Sequence, residues 1–105
     1  MAISQQVIQE VQRRSKGLCE LCGKRPRFPN RITYHHALVH RAKRHPEYDH
    51  HFNLESCCLA CHDSIANSYK KNERQFYALV CSYYGKETID NWIDSLGLKV
   101  REYWD

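Results

Sequence analysis

Two Cys-x-x-Cys pairs constrain the fold of this chain more than any other feature of its sequence. The first pair is Cys19 with Cys22, and the second is Cys58 with Cys61. Two such pairs supply the four thiolates of a tetrahedral zinc site, in which the fourth thiolate leaves no open position for water. The sequence therefore predicts one structural zinc ion that joins two segments, with 35 residues carried between the pairs.

The sequence outside the two pairs favours a metal site over a disulfide framework. The N-terminus lacks the apolar segment of a secretory signal, and nothing approaches the stretch of about 18 apolar residues that spans a membrane. We therefore expect a cytoplasmic protein with no membrane partner, in which thiols stay reduced. Cys57 is expected to point away from the ligand set, and Cys81 is expected to be a buried thiol.

Basic residues are concentrated in the first half of the chain. Ten of the sixteen Lys and Arg residues lie between Arg13 and Pro46, where Glu20 is the only acid. Such a distribution suits a polyanionic partner such as nucleic acid. A solvated basic face without a partner is the alternative that charge alone leaves open.

Residue spacing places the first elements of secondary structure. Apolar residues at helical spacing after a capping Ser4 predict a helix that leads into the first cysteine pair. The β-branched and aromatic residues of Ile32–His36 predict a strand. A further helix is predicted over residues 60–70, packing through Ile65 and Tyr69.

Two more helices are predicted after residue 70. The first begins at a capping box, Asn72-x-x-Gln75, and stops at Gly85, and the second ends at Gly97. Their apolar residues recur at helical spacing and are expected to form core: Phe76, Leu79, Val80, Tyr83, Ile89, Trp92, Ile93 and Leu96.

Histidines and an asparagine lie between the cysteine pairs and directly after them. The order is His35-His36, then Asn53, then His62 directly after the last cysteine of the pairs. Hydrolysis of a phosphodiester needs a base that deprotonates water, a cation that neutralises charge on the phosphate, and a group that holds the base. An unperturbed imidazole has a pKa of about 6.5 and can act as such a base near neutral pH.

This combination resembles the HNH endonuclease family over residues 16–70. The shared features are the paired histidines, the Asn-Leu step and the histidine after the second cysteine pair. The resemblance implies a small α+β fold, with a treble-clef-like ββα-metal core stapled by zinc, an N-terminal helix and two C-terminal helices. We expect one domain over residues 1–105, with its core at about 16–70 and a helical extension at about 71–105.

The resemblance also assigns roles to these residues. His36 resembles the general base, and His35 and His62 resemble the ligands of a catalytic divalent ion. Asn53 corresponds to the middle letter of the family name, which in relatives either braces the hairpin and the base or reaches the metal. Some relatives carry a third imidazole where this chain has Ala66. The sparse ligand set favours Mg²⁺ as the catalytic ion, with Mn²⁺, Ni²⁺ and Zn²⁺ as alternatives.

DNA is the substrate that the resemblance implies. Arg41, Lys43 and Arg44 lie in a polar loop and are the candidates for phosphate contacts, which carry little sequence information, so a protein partner can supply specificity. The other histidines are expected to be solvated or to face phosphate: His40, His45, His50 and His51. Two alternatives stay open: a non-catalytic zinc-knuckle module that binds nucleic acid, and a protein-interaction scaffold built on the C-terminal helices.

Overall fold

The computed structural model describes residues 3–40, 46–65 and 67–104. In this part of the chain, four α-helices and a two-stranded antiparallel sheet form a small α+β fold, which confirms the α+β part of the prediction. The helices are α1 (Gln5–Ser15), α2 (Leu59–Ile65), α3 (Tyr69–Tyr84) and α4 (Lys86–Ser95). The strands are β1 (Ile32–His36) and β2 (Leu54–Cys58), and short 3-10 helices occupy Pro46–Tyr48 and Glu102–Trp104.

Helix α1 begins at the residue that the sequence predicts. The Ser4 side chain accepts a hydrogen bond from the N–H of Val7, and Ser4 itself is extended. The helix ends at Lys16, which adopts the left-handed conformation with φ 57° and donates its N–H to the carbonyl of Gln12.

A buried ion pair joins α1 to the rest of the fold. The Nε atom of Arg14 lies 2.9 Å from a carboxylate oxygen of Glu20, and both side chains are almost completely buried. Arg14 also donates to the carbonyl oxygens of His51 and Leu54, while Glu20 accepts the N–H of Ser56 at 2.8 Å. These contacts connect α1, the first cysteine pair and β2. Removing either partner would leave a buried charge unpaired, so the ion pair holds the three parts in one arrangement.

The two strands bring distant parts of the sequence together. They pair antiparallel, with Ile32 opposite Cys58 and His36 opposite Leu54. Strand β2 is buried along its whole length, and its side chains other than Glu55 are small or apolar. Since α2 follows β2 without a gap, the end of β2 and the start of α2 lie beside β1.

Two predicted helix boundaries are wrong. Instead of one helix over residues 60–70, the chain forms α2 and α3, with a break at Ser68. Tyr69 then starts α3 and is 50% exposed, so it does not pack as expected. The predicted capping box fails because Asn72 lies inside α3, where its buried side chain donates a hydrogen bond of 2.9 Å to Glu55.

The described residues form two hydrophobic clusters. The smaller one surrounds the cysteines, and the larger one joins the segment after β1 to α3, α4 and the C-terminal 3-10 helix: Ala37, Leu38, Val39, Phe76, Tyr77, Val80, Ile89, Ile93 and Trp104. The predicted packing is confirmed for Phe76, Val80, Ile89 and Ile93, whereas Tyr83 is 41% exposed. Helix α3 ends at Gly85 as predicted. Among the described helices, none combines the length and apolar character that crossing a bilayer requires.

Candidate metal centre and histidine cleft

The four predicted zinc ligands meet at one point. The sulfur atoms of Cys19, Cys22, Cys58 and Cys61 all lie within 4.8 Å of one another. Thiolates about 2.3 Å from a tetrahedral zinc ion lie about 3.8 Å apart, so these four cysteines can hold a structural metal such as zinc. Within residues 3–40, 46–65 and 67–104, no other group of three or more His, Cys, Asp and Glu is gathered so closely.

The local backbone prepares the first cysteine pair for a metal. Gly23 follows Cys22 with φ 75°, a conformation that favours glycine, and its N–H donates to the carbonyl of Cys19 at 2.8 Å. The sulfur of Cys19 accepts N–H groups from Leu21, Cys22 and Cys58, each at 3.4 Å. Main-chain N–H groups directed at one sulfur atom orient it, so this turn holds Cys19 in place as a ligand.

The two remaining cysteines lie outside this cluster. Cys57 is fully buried, with its sulfur 3.7 Å from the hydroxyl of Thr33, and burial raises the pKa of its thiol to about 12. Cys58, and not Cys57, belongs to the cluster, as the spacing predicts. Cys81 is only partly buried, which corrects the expectation of a buried thiol.

His35, His36 and His62 line one cleft. The ring centroids of His35 and His62 lie 5.3 Å apart, although β1 supplies the first ring and α2 the second. The cleft has a volume of about 640 Å³, and Lys70 and Arg101 also line it. The chain therefore gathers the histidines that the sequence singles out, with two basic side chains beside them.

The electrostatics of His35 suit a ligand. Its Nε2 atom is buried and has no hydrogen-bond partner among the described residues. Burial, together with the rings of His40 and His62, lowers the pKa of His35 to about 4, so the ring is neutral near pH 7. A neutral imidazole with an unpaired nitrogen inside a cleft can donate the lone pair of that nitrogen to a metal ion.

His36 is paired with an acid that the sequence argument missed. Its Nε2 atom lies 2.6 Å from Oδ1 of Asp49. Since a carboxylate accepts hydrogen bonds, Nε2 carries the proton and Nδ1 keeps the lone pair that a general base needs. Asp49 is therefore a positioning residue for His36, and the sequence showed only an acid within a polar loop.

The side chain of Asn53 makes all the hydrogen bonds it can, and all of them are to main-chain groups. The side chain is fully buried, and its Oδ1 accepts the N–H groups of Leu38 and Val39 at 2.9 and 2.8 Å. Its Nδ2 donates to the carbonyls of Val39 and Tyr48, each at 3.0 Å. These contacts tie the segment after β1 to the segment before β2, which agrees with a bracing role and leaves no donor atom for a metal.

His40 is held in the cleft and is not simply solvated as expected. Its Nε2 atom lies 2.6 Å from Oε2 of Glu73, and its ring centroid lies 5.8 Å from that of His35. Glu73 is buried and also accepts hydrogen bonds from Tyr103 and Trp104. Burial opposes ionisation of Glu73, but the bonds from Tyr103, His40 and Trp104 lower its pKa.

His50 and His51 also depart from the prediction of solvated rings. Their ring centroids are 4.2 Å apart, and His50 packs against Phe52 at 4.4 Å and Trp92 at 5.3 Å. Burial lowers the pKa of His50 to about 4. His51 packs against Tyr84 of α3 at 5.3 Å. His45 lies outside the described residues.

The predicted phosphate contacts Arg41, Lys43 and Arg44 lie outside the described residues. Lys70 and Arg101, which the sequence argument did not select, are exposed cations at the histidine cleft. Comparison of the chain with family models, with curated proteins and with solved structures gives no match.

Proposed function

We propose that this chain is an HNH-type endonuclease that hydrolyses DNA phosphodiester bonds with the help of a divalent ion. The observation that carries the proposal is the histidine cleft, where His36 is held by Asp49 in the tautomer of a base, beside His35 and His62. The order β1, β2, α2 around this cleft, with the cysteine cluster at the β2–α2 junction, supports a treble-clef-like ββα-metal core.

The chemistry follows from the residues that line the cleft. His35 and His62 would hold the ion, and a bound divalent ion supplies positive charge that stabilises the phosphate in the transition state. His36 accepts the proton of the attacking water at Nδ1. Asp49 keeps the other proton on Nε2 and stabilises the imidazolium that forms. Asn53 fixes the backbone on both sides of this pair.

The two exposed cations at the cleft are suited to phosphate. Lys70→Ala and Arg101→Ala should each weaken DNA binding to a similar extent on unrelated sequences. Each should also make the negative slope of log K against log salt shallower by about 0.9, because one phosphate contact is lost. Fluorescence anisotropy with duplexes of two sequences at several salt concentrations measures both effects.

Lys86→Ala is the matched control for this titration. It removes the same charge from α4, where Lys86 pairs with Asp90 outside the lining of the cleft. It should leave affinity and slope unchanged. If Lys70→Ala and Arg101→Ala behave like this control while Arg41→Ala, Lys43→Ala and Arg44→Ala reduce the slope, the phosphate contacts lie in the loop that the sequence selected.

Incubation of the zinc-loaded protein with supercoiled plasmid tests the function directly. Nicked or linear plasmid should appear with at least one ion among Mg²⁺, Mn²⁺, Co²⁺, Ni²⁺ and Zn²⁺, and EDTA should abolish it. His36→Ala protein, purified in the same way, excludes a contaminating nuclease. If the protein binds DNA but cuts it with none of these ions, the non-catalytic zinc-knuckle module takes the place of the enzyme.

A further inference from the structure

A third imidazole lies in the histidine cleft, on the segment that follows β1. The ring centroid of His40 is 5.8 Å from that of His35, which is itself 5.3 Å from that of His62. The side chain of His40 is 32% exposed and lines the cleft. Three rings from three places in the sequence therefore line one cavity, where their nitrogens are spaced more widely than the four sulfurs of the cysteine cluster, so a bound ion would draw the rings together.

His40 is oriented by a buried carboxylate. Oε2 of Glu73 lies 2.6 Å from Nε2 of His40, and its other oxygen accepts hydrogen bonds from Tyr103 at 2.5 Å and from Trp104 at 2.8 Å. Because Glu73 accepts at Nε2, the lone pair of His40 is on Nδ1. Carboxylates that hold the second ring nitrogen are the usual partners of histidines that bind metal ions.

His35 offers the complementary observation. Its Nε2 atom is buried at the cleft without a hydrogen-bond partner among the described residues. A buried polar atom in that position destabilises the fold unless a partner satisfies it. The fold itself therefore leaves this nitrogen available as a ligand atom.

We propose that His40, held by Glu73, completes with His35 and His62 a three-histidine site for a divalent transition-metal ion. The inference rests on the proposed function, since the same ion would serve the nuclease. Three imidazoles with an open fourth position suit Zn²⁺, Co²⁺ and Ni²⁺, whereas Mg²⁺ prefers oxygen ligands. With a third imidazole, these transition-metal ions replace Mg²⁺, which was expected from only two ligands.

Titration of Co²⁺ into the zinc-loaded protein tests this site without relying on activity. Calorimetry should give one Co²⁺ per chain beyond the zinc, with visible absorption of nitrogen-ligated Co²⁺ and no release of zinc. Glu73→Gln should weaken Co²⁺ binding by roughly 10–100-fold. His40→Ala and the polar variant His40→Gln should weaken it more, with melting temperatures that show an intact fold.

His36→Ala is the matched control, because it removes an imidazole from the same cleft that is not a proposed ligand; its Co²⁺ affinity should equal that of the parent. The inference is overturned if no Co²⁺ binds beyond the zinc. It is also overturned if both His40 variants bind Co²⁺ like the parent while His35→Ala and His62→Ala do not. Cobalt binding that depends on His40, without cleavage of plasmid by any ion, would refute the nuclease and leave the metal site standing.

Discussion

Replacement of Cys58 by serine should leave the chain without zinc and largely unfolded at room temperature. A structural zinc site contributes about 10–16 kcal/mol at neutral pH, whereas the net stability of a domain is about 5–15 kcal/mol. The four cysteines join the turn after α1 to the β2–α2 junction, so loss of the metal removes a link between these two segments. Zinc content and circular dichroism during thermal melting measure the effect.

Cys57→Ser is the matched control, because Cys57 is the adjacent residue and lies outside the cluster. It should keep one zinc per chain and a cooperative melt, with only the modest loss of stability expected for a polar group placed at a buried site. The assignment of ligands is wrong if Cys57→Ser loses the zinc and Cys58→Ser retains it.

His36→Ala should reduce the rate of DNA cleavage by about 10²–10⁴-fold while the fold and the affinity for divalent ions stay unchanged. The reason is that His36 takes the proton from water through Nδ1 but holds no metal in the proposed site. Single-turnover cleavage at saturating metal measures the rate, and calorimetry measures the affinity. His62→Ala should also be inactive, but through weaker metal binding, so added metal should restore part of its activity.

Asp49→Asn tests, in the same assay, whether Asp49 positions His36 for catalysis or only stabilises the fold. The amide can hold either tautomer of His36, so kcat should fall while KM and the melting temperature stay near those of the parent. Two results would contradict the assignment of the base. In one, His36→Ala loses metal affinity while His35→Ala keeps it, which reverses the roles of the pair; in the other, His36→Ala cuts DNA as fast as the parent.

Features that depend on neighbouring residues could be predicted from the sequence. The cap at Ser4, strand β1 and the ends of α3 and α4 follow from local spacing, and the structure has them within a residue or two. The cysteine cluster was also predictable, because the type and spacing of its residues are specific to metal binding.

Features that depend on distant residues could not be predicted in this way. Asn72 looked like a helix cap because nothing in the sequence shows that Glu55, on β2, accepts its side-chain hydrogen bond. His40 looked like one more solvated histidine because its partner, Glu73, is 33 residues away. Charge was misleading at Arg14, which belongs to the basic half of the sequence but is buried against Glu20.

The larger hydrophobic cluster determines how long a segment must be grafted to transfer the histidine cleft into another protein. A graft that ended at Lys70 would carry the four cysteines and all the histidines, yet it would omit Glu73 and the aromatic side chains that cover Leu38 and Val39. Those two residues lie just after β1, and their main-chain N–H groups donate to Asn53, so their exposure would disturb the brace beside His36. In this chain the C-terminal helices are therefore an inseparable part of the cleft, and a functional transplant has to extend to Trp104.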